Sequence, residues 1–104
     1  MELQLKQVEK QIEKIKKKLL ELGAMRPGSL TKQYRLPKEK KRPFYQLSYT
    51  YHMRSRSEYV RPEDVAAIRK QTVNFKRFKG LIDKWVELEL EASQLRIREG
   101  REKT

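Results

Sequence analysis

Cysteine is absent from the 104 residues. Disulfides, thiolate zinc sites and cysteine nucleophiles go with it. The one histidine, His52, leaves no second imidazole for a metal site or a catalytic pair. No stretch approaches the ~20 apolar residues of a membrane-spanning helix. The N-terminus opens on charged sequence without a signal-peptide core. A glycine-rich phosphate cradle, a nucleophile elbow and a metal motif are also missing. Glu63, Asp64, Asp83, Glu87, Glu89 and Glu91 stand among lysines on a helical stretch, as solvated acids do. No enzyme, metal, cofactor or membrane association is therefore expected. The expected setting is cytoplasmic, and nucleoid-associated if DNA is bound.

Acids are scarce as well, 14 against 26 lysines and arginines, for a net charge of +12. An excess of that size speaks of polyanionic partners more than of fold. Apolar residues make up 37% and charged residues 38%, too polar for a thick core. A chain this short then needs helices packed along seams, or association with other chains.

What is present falls into segments. In residues 1–24, Leu5, Val8, Ile12, Ile15, Leu19 and Leu22 recur at spacings of 3 and 4, an unbroken heptad seam. Lys6, Lys10, Glu13, Lys14, Lys17 and Glu21 cover the remaining faces. Gly23 predicts a C-cap, and Pro27 ends the helix. Three heptads are marginal alone, so this helix needs a partner.

A second helix is predicted over 62–98, with a frayed charged tail at 99–104. It starts at Pro62, with Glu63 and Asp64 in the first turn. Val65, Ile68, Thr72, Phe75, Phe78, Ile82, Trp85, Leu88, Ala92 and Leu95 supply its seam. Gly80 is the one weak point, a possible bend. Antiparallel pairing of Leu5–Leu22 with Ile82–Leu95 would bury both seams. The two seams together exceed what a single hairpin can hide. Leu5, Val8, Ile12, Ile15, Leu19 and Leu22, with Ile82, Trp85, Leu88 and Leu95, are thus also the expected oligomerisation residues of a dimer or larger assembly.

Residues 25–61 differ. Pro27, Gly28, Pro37 and Pro43 predict a loop or extended arm up to Phe44. Tyr45, Leu47, Tyr49, Tyr51 and Met53 then alternate with Gln46, Ser48, Thr50 and His52, a strand with one apolar face. Arg54, Arg56 and Glu58 alternate with Ser55, Ser57 and Tyr59, predicting a second strand and a β-hairpin turning near His52–Arg54. The predicted class is α+β, mostly α: two coiled-coil helices flanking a basic loop and a β-hairpin.

Eight of the twelve net charges fall in this middle segment, with all five tyrosines. Phosphates call for Lys and Arg, and bases and sugars for aromatics. The candidate contacts are Arg26, Lys32, Tyr34 and Arg35, the loop residues Lys38, Lys40, Lys41 and Arg42, and Tyr45, Tyr49, Arg54, Arg56 and Arg61 of the hairpin region. Tyr45, Tyr49 and Tyr51 read as the packed face of a hairpin before they read as stacking residues. Lys38–Arg42 reads equally as solvated loop.

Met25-Arg26-Pro27-Gly28-Ser29-Leu30, Gln33-Tyr34-Arg35, Phe44-Tyr45-Gln46-Leu47-Ser48-Tyr49 and Arg56-Ser57-Glu58-Tyr59-Val60 together resemble a small prokaryotic domain of unknown function. Genes for that domain often lie near transposases and other mobile elements. The resemblance covers about half the chain and implies a binder of mobile-element nucleic acid, DNA rather than RNA. Two departures stand out. Leu36-Pro37-Lys38-Glu39-Lys40-Lys41-Arg42-Pro43 occupies the place of the family's cysteine knuckle, so no zinc role transfers. His52-Met53 replaces a Gly-Gly turn. Methionine at positive φ is unfavourable, so a different loop is expected.

The function expected is a non-enzymatic nucleic-acid-binding accessory protein. The alternative is a coiled-coil adaptor that recruits a larger recombinase, nuclease or ribonucleoprotein partner.

Overall fold

The heptad run from Leu5 does fold as a helix: α1 spans Glu2–Glu21. The computed structural model describes residues 2–102, so Met1 of the first segment and Lys103 and Thr104 of the expected tail lie outside the described residues. Strands β1 (Ser29–Leu36), β2 (Lys41–Tyr51) and β3 (Arg54–Val60) follow. A 3-10 turn at Pro62–Asp64 then leads into α2, Val65–Glu102. Proline opens that turn with its fixed φ and absent N–H, as expected of a helix start. Helix α2 runs through Gly80 and on past residue 98, so residues 99–102 are helix rather than frayed tail. Gly23 is outside the left-handed region, so the expected glycine cap is not used. The chain divides into two compact units, Met1–Leu22 with Arg77–Thr104, and Gly23–Lys76.

In the first unit the two seams meet. Val8, Ile12 and Ile15 of α1 and Leu88, Ala92 and Leu95 of α2 form one buried cluster, with Leu5, Leu19, Leu81 and Trp85 packed against it. The pairing is antiparallel: Glu9 accepts from Arg96 at 3.5 Å, and the Lys16 ammonium lies 5.5 Å from the Trp85 ring centroid. Each buried aliphatic side chain contributes about 1.5–3 kcal/mol. The half-exposed ion pair adds little beside that. Leu22 and Ile82 remain half-buried. These seams are closed within one chain.

The second unit holds a three-stranded antiparallel sheet in the order β1-β2-β3. The predicted hairpin is β2–β3; the region expected as loop supplies a third strand, β1. Pro43 sits in the central strand, opposite Tyr34. That position tolerates proline because β3 has already ended at Val60, opposite Tyr45, leaving no neighbour on that side to accept an N–H. Leu47 and Val60 are buried on the inner face. Two bonds tie the segment before β1 to α2: the Arg26 amide donates to the Gln71 carbonyl at 3.2 Å, and Asn74 Nδ2 to the Ala24 carbonyl at 3.0 Å. Gly28, at φ 144°, lies so close to Leu47 that an added Cβ would stand 2.6 Å from Leu47 Cδ1.

The β2–β3 connection is a two-residue loop, since Tyr51 pairs with Arg54. His52 (φ 51°) and Met53 (φ 64°) both take positive φ. Two-residue hairpin loops need this handedness to match the twist of their strands. The expectation of a different loop is thus corrected: the left-handed geometry is kept without glycine.

Candidate nucleic-acid interface

Strand alternation and register sort the candidate residues onto two faces of the sheet. The inner face carries Lys32, Tyr34, Lys41, Tyr45, Tyr49, Arg54 and Arg56, together with Leu30, Leu47 and Val60. Arg56 stands opposite Tyr49 and Arg54 opposite Tyr51, so the two arginines share one face while Ser55 and Ser57 take the other, as predicted. The outer face carries Arg35 and Arg42. Lys38 and Lys40 lie in the β1–β2 turn, and Arg61 just beyond β3. The thirteen residues do not form one patch.

Several are engaged within the protein. Arg26 is ion-paired to Glu58 at 3.3 Å and lies 5.1 Å from the Tyr49 ring centroid. Tyr49 Oη donates to Glu58 Oε1 at 2.9 Å. That triad fixes the segment before β1 to the inner face and neutralises Arg26, which therefore acts as a brace. Tyr45 is half-buried. The packed-face reading of these two tyrosines fits their surroundings. The Lys32 ammonium lies 5.6 Å from the Tyr34 ring centroid.

The unneutralised charge collects at the ends of the sheet. Among the described residues, Lys38, Lys40, Lys41, Arg42, Arg54, Arg56 and Arg61 make no ion pair. The β1–β2 end brings together Arg35, Lys38, Lys40, Lys41 and Arg42. The turn is closed by bonds from the Glu39 amide to the Leu36 carbonyl and from the Lys40 amide to the Pro37 carbonyl, at 3.2 and 3.3 Å. Lys40 and Arg42 both take positive φ, near 51° and 55°.

The outer face holds residues that alternation from Tyr45 did not pick out. Its cross-strand rows are Ser29–Ser48–Ser57 and Thr31–Gln46–Tyr59, with Gln33 opposite Phe44 and Thr50 opposite Ser55. The hydroxyls pair across strands, Ser48 with Ser57 and Thr50 with Ser55, each at 3.2 Å. Phe44 and Tyr59 stack at 6.3 Å between centroids and 20° between planes, and the Arg35 guanidinium lies 5.1 Å from the Phe44 ring centroid. Tyr59 is 60% exposed. Both aromatics fall out of phase with the apolar alternation, and only the β2–β3 register brings them together.

A family model described as a domain of unknown function (DUF6788) matches residues 5–70. The chain belongs to this family. The DUF6788 match takes in most of α1, the whole sheet and the first residues of α2. Comparison with curated proteins and with solved structures finds no match. Among the described residues, no cluster of His, Cys, Asp or Glu could hold a metal, and no helix is long and apolar enough to cross a membrane.

Proposed function

We propose that this chain is a non-enzymatic nucleic-acid-binding accessory protein, acting on the DNA of a mobile or viral genetic element in a prokaryotic cytoplasm. The observation that supports it most is the β1–β2 end of the sheet. There Lys38, Lys40, Lys41 and Arg42 stand exposed and without an ion-pair partner beside Arg35. A solvated loop needs no such concentration of one sign, and phosphate neutralisation does. The mobile-element setting and the preference for DNA over RNA rest on the sequence resemblance alone.

The test is binding of a labelled oligonucleotide as a function of salt. Replacing Lys38, Lys40, Lys41 and Arg42 together with alanine is expected to weaken binding and flatten the slope of log K against log salt by up to about 3–4. An unchanged slope overturns the placement of phosphate contacts at this turn. Binding no tighter than that of a disordered peptide of equal charge overturns the nucleic-acid reading itself.

One observation favours the adaptor reading. Val86, Leu90 and Ile97 are 54, 61 and 57% exposed and share one stripe of α2, away from the buried Leu88, Ala92 and Leu95. A protein partner docked along that stripe would engage the helical unit.

A further inference from the structure

The outer face of the sheet departs from the usual pattern of a solvated sheet face. Such a face alternates to polar residues, and most of this one does, in serine, threonine and glutamine. Phe44 and Tyr59 are the exceptions. They lie diagonally across β2 and β3, with near-parallel rings 6.3 Å apart, at the same end of the sheet as the basic turn. Gln33 is opposite Phe44 and Gln46 opposite Tyr59. Arg35 already holds a cation against the Phe44 ring.

We infer that Phe44 and Tyr59 form a stacking site for unpaired nucleobases, so that the ligand of this sheet is single-stranded nucleic acid. The inference rests on the nucleic-acid reading above and specifies its substrate. Aromatic rings beside a cationic groove hold single strands because every base has a π-face to offer. In a duplex those faces are occupied by neighbouring bases at a rise of ~3.4 Å. Two ring centroids 6.3 Å apart match bases drawn to roughly twice that rise, a spacing that a single strand takes freely and a duplex only by unstacking a base step. The side-chain amides of Gln33 and Gln46 both donate and accept, as contacts to exposed base edges require. Arg35 and Arg42, next along the same face, and the adjoining turn supply phosphate contacts.

The experiment compares three labelled ligands of equal length with the full chain, by anisotropy at one salt concentration. The ligands are a mixed-sequence single strand, its duplex, and an abasic single strand that keeps the phosphates. The base-bearing single strand is expected to bind at least about 10-fold tighter than the abasic strand, since each stacked base is worth a factor of about 5 to 150. The Phe44→Leu, Tyr59→Leu double variant is expected to lose that preference while keeping its affinity for the abasic strand. Circular dichroism checks its fold, and the wild-type comparison needs no variant. Equal binding of abasic and base-bearing strands, or tighter binding of duplex, overturns the stacking site and leaves phosphate binding standing. Failure to bind any of the three overturns the nucleic-acid reading along with it.

Discussion

At the scale of the residue, conformational freedom decides more than side-chain chemistry. Gly80 lies within α2, and an added Cβ there would meet nothing within 4 Å. Its backbone entropy is a cost without a packing return. Gly80→Ala is expected to stabilise the chain by about 0.5–1 kcal/mol, read as a raised urea midpoint at unchanged slope. His52 and Met53 present the opposite case, since both hold positive φ without being glycine, and Met53 is 99% exposed. His52→Asn with Met53→Gly suits that backbone and is expected to raise the thermal midpoint, by a stability gain on the order of 1 kcal/mol. Loss of stability in this variant would mean that the turn is held by contacts of the native side chains, such as the edge-on packing of His52 on Tyr51 at 4.0 Å. Composition shows that the charge is concentrated in one segment but does not tell Arg26, paired with Glu58, from Arg42, which makes no ion pair among the described residues. Lysine and arginine look alike in a sequence whether or not a carboxylate 32 residues away reaches them.

At the scale of the element, the helices were legible and the sheet only in part. Unbroken spacing of 3 and 4 has one reading at this length, and every apolar position predicted for α1 and α2 is buried or half-buried. Strand β1 was missed because Leu30, Tyr34 and Leu36 are its only apolar residues on the inner face, with Lys32 between them. Two prolines nearby, Pro27 and Pro37, add the signature of a loop. The stacking pair was hidden for a related reason: each ring is one residue out of phase with its own strand's pattern, and register is a property of two strands at once. The helix seam yields a direct comparison. Leu88→Ala removes a side chain from the closed cluster and is expected to destabilise by about 2–5 kcal/mol, with Trp85 fluorescence reporting the transition. Leu90→Ala, two residues away and largely exposed, is expected to stay within about 0.5 kcal/mol. Similar losses in the two variants would show that the outer stripe is covered in solution.

At the scale of the whole molecule, charge and connectivity are distributed differently. The net charge of +12 gathers mainly in residues 25–61, so salt is expected to act on binding far more than on folding. The two compact units do not follow one another along the chain: Gly23–Lys76 is a single stretch, whereas the helical unit is assembled from residues on either side of it. That interleaving sets an order of events during synthesis. The ribosome releases α1 before the sheet and α2, and a helix of 20 residues is marginal by itself. Its partner positions, Leu88, Ala92 and Leu95, are translated only after the entire sheet. The sheet-bearing unit thus has all its residues in hand while α1 still waits with Val8, Ile12 and Ile15 uncovered, and the nascent chain passes through a stage at which the earlier-made of the two helices lacks its cover.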